Sequence, residues 1–136
     1  MRMWVGLAES SMIALSPSLA SAATGIDYVA VGWEDTINSG KWMCCSGDGT
    51  NHTCMDMGMP AVSAGTEYLI DVDWSQTGKL YCRITANNKT YVTLKTSNLS
   101  TQAVGLGINI TNTTKVTGGT SVCRNFYFAK GTLEQN

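Results

Sequence analysis

The chain has 136 residues, of which 43% are hydrophobic and 14% charged, and its nine basic and ten acidic residues give a net charge of −1. This length suits a single domain over residues 1–136 with a core of its own. The charge balance predicts no attraction to nucleic acid or to an anionic membrane, and no apolar run reaches the ~18 residues of a transmembrane helix. The high apolar content indicates a surface that a partner covers.

The N-terminal segment combines Arg2, an apolar stretch and a run of small residues, as a secretory signal peptide does. Polar residues interrupt the apolar stretch, however, and Pro17 lies within it. We therefore predict a strand at Arg2–Leu7, with Met3, Val5 and Leu7 on one face. A loop of small residues from Glu9 to Gly25 then follows.

Two further segments complete the first half of the predicted fold. Ile26–Trp33 reads as a strand with apolar residues on both faces, which is typical of a central strand. Lys41–Ser46 and His52–Met57 form the arms of a hairpin around the turn GDGTN at Gly47–Asn51.

The stretch from Gly65 to Leu99 predicts three successive strands with alternating apolar and polar residues. An odd number of loop residues between the first two strands places Trp74 beside Leu80, and Val72 beside Cys82. For the next connection we predict the three-residue loop Ala86–Asn88, because a two-residue Asn87–Asn88 turn would put Val92 beside Arg83. The predicted buried face is then formed by Val72, Trp74, Leu80, Cys82, Val92 and Leu94.

Two more strands are predicted near the C-terminus, at Ala103–Thr111 and Ser121–Lys130. No segment has a helical period, and the chain reads as an all-β domain of about eight short strands. Because the three strands between Gly65 and Leu99 each have one apolar and one polar side, we expect a two-layer antiparallel β-sandwich.

The order of these segments resembles a concanavalin A-like jelly roll, the lectin and glucanase type, in the form found in structural proteins of tailed phages. The matching pieces are RMWVGL, GIDYVAVGW, KWMCCSGDGTNHT, AGTEYLIDVDW, GKLYCRITANNKTYVTLKTSNLS and GLGINITNTTKVTGGTSVCRNFYF. In such domains a hairpin with a tryptophan and a turn precedes an Ala-Gly-Thr-X-Tyr strand and a strand–turn–strand that ends in Asn-Leu. Lys41–Thr53, Ala64–Trp74 and Leu80–Leu99 fill these places. Such domains often carry further strands before RMWVGL, so the resemblance also fits a fragment of a longer version, or a sheet that another subunit completes.

The same fold type includes glycoside hydrolases, whose two catalytic carboxylates lie roughly 5–10 Å apart across a cleft. In the jelly-roll enzymes the acids follow the pattern Glu-X-Asp-X-X-Glu, whereas here no glutamate follows Asp71 and Asp73 on the strand. We therefore predict that these two aspartates lie on the solvent-exposed side of an amphipathic strand. His52 is the only histidine and lies beside a turn, so we expect neither an enzyme nor a cofactor.

Four soft metal ligands lie in one predicted hairpin: Cys44, Cys45, His52 and Cys54. Adjacent cysteines in a strand point to opposite faces, which disfavours a zinc site. A register centred on Gly49 predicts a disulfide between Cys44 and Cys54, while the competing register pairs Cys45 with Met55 and needs no covalent bond. Because the five cysteines cannot all pair within one chain, we favour reduced, buried thiols, as expected in a particle assembled in a cytoplasm.

Two functional classes fit these observations. The first is a non-enzymatic structural protein of a virus or phage particle, of the capsid-decoration or tail-fibre type, which is assembled in the host cytoplasm and binds other virion subunits. The second is a lectin-like extracellular module, in which aromatic rings stack on a glycan and polar groups hold its hydroxyls. Its candidate residues are Trp33, Trp42, Tyr81, Asp48 and Asn51. A row of exposed aromatic rings on one face would favour the glycan, whereas buried rings favour a structural role.

Self-association is a further expectation. The two terminal strands, Met3–Leu7 and Ser121–Lys130, carry few charges and no proline, so as sheet edges they lack the usual protection against pairing. We therefore expect a homo-oligomer, or docking of this chain onto neighbouring subunits.

Overall fold

The computed structural model describes residues 2–8, 19, 25–63, 65–75, 78–100 and 105–111. Eight strands form in this part: β1 (Arg2–Ala8), β2 (Asp27–Glu34), β3 (Met43–Asp48), β4 (His52–Asp56), β5 (Leu69–Ser75), β6 (Lys79–Ala86), β7 (Lys89–Lys95) and β8 (Gly105–Thr111). They make a first antiparallel sheet of five strands, in the order β4-β3-β2-β1-β8, and a second of three, in the order β5-β6-β7. The prediction of an all-β fold with two antiparallel sheets is confirmed for the described residues.

Two of the predicted elements lie largely or wholly outside the described residues. The loop Glu9–Gly25, apart from Leu19 and Gly25, and the strand Ser121–Lys130 lie outside the described residues. Between β2 and β3 the chain makes a single 3-10 turn at Asn38–Gly40. In the part of the chain described here, no helix has the length and apolar character needed to cross a membrane.

The core lies between the two sheets. Strand alternation turns Val29, Val31 and Cys44 of the first sheet toward Leu80, Cys82 and Ile84 of the second, and all six are fully buried. Trp42, Met57 and Met59 are buried in the same cluster. The two sheets therefore share one apolar interior, as the layers of a sandwich do.

Strand β2 is buried on both faces, as predicted for a central strand. Its other face packs with Trp4 of β1 and with Leu19, in a second buried cluster that includes Tyr28 and Ala30. The backbone N–H of Leu19 donates a hydrogen bond to Glu34 Oε2 (3.0 Å), and Arg2 pairs with the same carboxylate at 2.9 Å. The outer face of the first sheet is therefore largely covered.

The position of β1 corrects one expectation. Met3–Leu7 was predicted as an edge strand, but β1 lies between β2 and β8, where it pairs with both. Its low charge is that of an interior strand, so it gives no argument for self-association. Among the described strands, the sheet edges are β4, β8, β5 and β7.

The register between β5 and β6 is the predicted one, with Trp74 opposite Leu80 and Val72 opposite Cys82. The register between β6 and β7 was predicted wrongly, because Cys82 faces Thr93 and Val92 faces Arg83. Asn87 and Asn88 both have positive φ, 51° and 60°, and form the two-residue turn that the sequence argument rejected. Two left-handed residues match the twist of the flanking strands, and asparagine adopts this conformation readily.

This register reverses the faces of β7. Val92 and Leu94, predicted to be buried, are 55% and 43% exposed, whereas Lys95 is 1% exposed. Leu80 and Cys82 are buried as predicted, and Val72 and Trp74 are partly buried against the core. Lys95 therefore lies opposite Leu80, where the predicted register had placed Leu94, and it buries its aliphatic part there.

The β3–β4 hairpin follows neither predicted register. Cys45 pairs with Cys54 and Cys44 with Met55, because the connection after Gly47 is an even-numbered loop, Asp48–Asn51. The Asp48 carboxylate accepts the backbone N–H groups of Thr50 and Asn51, at 2.9 and 2.6 Å, and so closes this turn. These two hydrogen bonds also lower the pKa of Asp48.

The cysteines are joined differently from every pairing considered above. One disulfide joins Cys44 of β3 to Cys82 of β6 and links the two sheets, and a second joins Cys45 to Cys54 across the hairpin. The predicted Cys44–Cys54 bond is therefore wrong, as is the expectation of reduced thiols at these positions. Alternation explains the outcome, since neighbouring cysteines on one strand face different layers.

Candidate binding surface

The exposed side of the second sheet is the clearest candidate for a functional surface. Alternation gives it nine residues, which we call the outer face: Leu69, Asp71, Asp73, Tyr81, Arg83, Thr85, Thr90, Val92 and Leu94. Three of them are large apolar side chains open to solvent, with Leu69 71%, Val92 55% and Leu94 43% exposed. In contrast to the outer face of the first sheet, this face is open.

An ionic cluster occupies the part of the outer face next to β5. Arg83 Nη1 contacts Asp71 Oδ2 at 2.5 Å, and Nη2 contacts Asp73 Oδ2 at 3.6 Å. The hydrogen bond to Asp71 raises the pKa of Arg83, which therefore stays cationic. Since exposed ion pairs contribute little to stability, the cluster fixes side-chain positions more than it holds the fold.

Tyr81 lies beside this cluster, with the Arg83 guanidinium carbon 5.6 Å from the centre of its ring. The tyrosine faces Leu94 across the β6–β7 pair, as Arg83 faces Val92. The outer face thus changes from acidic at β5, through an arginine and an aromatic ring at β6, to uncharged and apolar at β7.

The five residues predicted for a glycan do not lie on one surface. Trp42 is buried and its ring centre lies 6.4 Å from that of Trp33, which packs against the same core. Asp48 and Asn51 close a turn of the first sheet, whereas Tyr81 belongs to the second. Of the three predicted aromatic residues, only Tyr81 lies on the exposed face.

The aspartates considered as catalytic acids and the cysteines considered as metal ligands also have structural partners. Asp71 and Asp73 both contact Arg83, and Cys44, Cys45 and Cys54 are in disulfides. The residues that the structure describes include no group of three or more His, Cys, Asp or Glu side chains suited to a metal ion.

A comparison with known proteins adds no relative. The chain matches no protein-family model, no curated protein and no solved structure. The resemblance to a concanavalin A-like phage domain therefore stays a prediction, and the functional argument rests on the geometry of this chain.

A second polar cluster lies where the end of β7 meets β4. Lys95 Nζ donates a hydrogen bond to Thr53 Oγ1 at 2.7 Å, and Asn98 Nδ2 donates to the same oxygen at 3.3 Å. Burial lowers the pKa of Lys95, because an ammonium group loses hydration inside a protein. Sequence reasoning missed this lysine, since alternation had placed it in solvent.

We expect Lys95→Met to raise the free energy of unfolding by about 1 kcal/mol at neutral pH, because methionine keeps the apolar stem and removes a buried charge. The folded-state pKa of Lys95 lies below its unfolded value, so the unfolded chain binds this proton more tightly. Wild-type stability should then rise as the pH increases toward the unfolded pKa, and the advantage of methionine should shrink.

Urea unfolding at a series of pH values measures this difference, with Lys79→Met, at an exposed lysine, as the control. An advantage of the same size for the Lys79 variant would contradict the role of burial.

Proposed function

We propose that this chain is a non-enzymatic structural and interaction protein that binds further copies of itself along strand β7, at the edge of the second sheet. The observation that carries the proposal is the apolar row of Val92 and Leu94, 55% and 43% exposed at the β7 edge of the outer face. Side chains of this size on neighbouring positions of one strand are typical of a surface that a partner covers.

Strand β7 suits a second copy in particular. No described strand pairs with its far edge, and from Thr90 to Leu94 the strand contains neither charge nor proline, the usual devices against edge pairing. A two-fold axis at Val92 would set Thr90 of each copy opposite Leu94 of the other. An isologous contact of this kind needs only one self-complementary patch.

We further propose that the domain is a concanavalin A-like jelly roll and serves as a capsid-decoration or tail-fibre module. Support for this comes from the packing of the two sheets and from β8, which returns the chain to the first sheet beside β1. The two disulfides favour an oxidising, extracellular location for the mature protein. A virion component meets such surroundings after release from its host.

Sedimentation velocity at micromolar concentrations tests the proposed self-association. Val92→Thr with Leu94→Thr keeps the strand propensity and removes the apolar contact, so we expect the midpoint of association to shift about tenfold or more to higher concentration. Met55→Thr is the matched control, because Met55 is 45% exposed but lies on β4 of the first sheet. A monomeric wild type, or equal shifts in both variants, would contradict the proposal.

A lectin-like role is the second candidate, and Tyr81 favours it, since an aromatic ring beside Asp73 and Arg83 offers both stacking and hydrogen bonds to a sugar. A glycan array with wild type and Tyr81→Ala separates the two roles. Glycan binding that Tyr81→Ala abolishes, without any change in self-association, would favour the lectin.

A further inference from the structure

The two disulfides differ in their surroundings. Cys44 and Cys82 are both fully buried between the sheets, where no thiol in solution can reach them. In the other bond Cys45 is fully buried, but Cys54 is partly exposed on β4, the edge strand of the first sheet. Since exchange begins with attack of a thiolate on a sulfur, access to that sulfur decides which bond reacts.

A histidine accompanies the accessible sulfur. His52 Nε2 lies 3.7 Å from Cys54 Sγ and 3.4 Å from the carbonyl oxygen of Leu19. A carbonyl oxygen can only accept, so Nε2 carries the hydrogen, and Nδ1 accepts the hydrogen bond from the Tyr28 hydroxyl. The one hydrogen on Nε2 is then shared between the Leu19 carbonyl oxygen and Cys54 Sγ.

We propose that Cys45–Cys54 is a thiol-exchange site for small thiols of the glutathione class, which attack at Cys54, while Cys44–Cys82 is a structural bond. This inference is independent of the outer face and of the proposed self-association. It assigns different roles to two neighbouring cysteines, Cys44 and Cys45, which share one strand.

The exchange proceeds in two balanced steps. A thiolate attacks Cys54 Sγ, the Cys45–Cys54 bond breaks, and its electron pair passes to Cys45 Sγ, which takes up a proton. A second small thiol then attacks, in this mixed disulfide, the sulfur that came from the first small thiol, and Cys54 leaves as a thiolate. In sum, two small thiols are oxidised to one disulfide, and the protein disulfide is reduced to two thiols.

His52 acts as a positioning residue in the second step, because its N–H group stabilises the departing Cys54 thiolate. The titratable groups that face His52 from other strands are the Tyr28 hydroxyl of β2 and the Lys95 ammonium of β7. Burial, and then the positive charge of Lys95, lower the pKa of His52, which keeps the ring neutral at physiological pH.

The consequence is a local and reversible change. Opening Cys45–Cys54 removes the covalent link between β3 and the edge strand β4 but leaves the link between the sheets intact. The fold can therefore persist while the edge of the first sheet loosens in a thiol-rich medium.

Graded glutathione buffers test the proposal on the oxidised full chain. Free thiols are trapped with iodoacetamide, and mass spectrometry reads Cys82 in the tryptic peptide Leu80–Arg83 and Cys54 in the fragment released by cleavage before Asp48 and Asp56. In each buffer we expect Cys54 to be reduced at least about tenfold faster than Cys82, with the mixed disulfide on Cys54. Equal reduction of the two bonds, earlier reduction of Cys82, or an adduct on Cys45 would overturn it.

Two further variants complete the test. Cys123→Ser repeats the assay without the fifth cysteine, and the same order of reduction is expected. His52→Phe keeps an aromatic ring but removes the donor, so the pH profile of Cys54 alkylation should move to higher pH, and His52→Gln, which retains an N–H donor, should restore it in part. A profile that His52→Phe leaves unchanged would overturn the role of His52.

Discussion

Replacing Cys44 and Cys82 together by alanine should lower the free energy of unfolding by about 4 kcal/mol. The bond joins residues separated by 38 positions, and a loop of this size restricts the unfolded chain strongly. Both sulfurs are buried among apolar side chains, so alanine introduces no polar group. Urea unfolding of the oxidised proteins measures the difference.

The matched control is the double replacement of Cys45 and Cys54 by alanine. This bond spans only 9 positions, so the same argument gives a smaller loss, about 3 kcal/mol. A larger loss from the hairpin bond than from the inter-sheet bond would contradict the view that Cys44–Cys82 holds the two layers together.

Trp42→Ala should cost about 4 kcal/mol, whereas Tyr81→Ala should cost less than about 1 kcal/mol. The Trp42 ring is 1% exposed and lies 5.7 Å from the ring of Tyr68 and 6.4 Å from that of Trp33. Its removal opens a cavity between the sheets, whereas removal of Tyr81 affects a solvent-facing surface.

Thermal and urea unfolding of both variants measure these losses. The pair also separates core from surface among the aromatic residues predicted to bind sugar. Equal destabilisation by the two replacements would contradict the assignment of Trp42 to the core and Tyr81 to the outer face.

Strand positions and the β5–β6 register could be predicted from the sequence because alternation leaves few alternatives. The next register could not be, because Ala86–Asn88 is compatible with two turns whose difference inverts a whole strand. Because Val92 and Leu94 are hydrophobic, the sequence favoured a register that buries them. The turn formed by Asn87 and Asn88, both with positive φ, sets the opposite register. The solvent-exposed side of β5 was predicted correctly in Asp71 and Asp73. The apolar row of Val92 and Leu94 was missed because the wrong register placed both residues inside.

The cysteine pairing was beyond local reasoning. Alternation correctly separates Cys44 from Cys45, but whether Cys44 faces β4 or the other sheet depends on how the layers pack. The inward positions of Cys44 and Cys82 were the available signal, since two cysteines on facing sheets can meet across the core. The buried Lys95 was missed because its partner, Thr53, comes from a strand far away in the chain.

Hydroxyl-radical footprinting of the protein below and above its association midpoint tests the central claim most directly. If copies meet along β7, oxidation of Val92 and Leu94 should fall as the chains associate, while Met55, which is 45% exposed on the first sheet, should stay equally reactive. Undiminished oxidation of Val92 and Leu94 in the associated protein, or protection confined to Met55, would contradict the account.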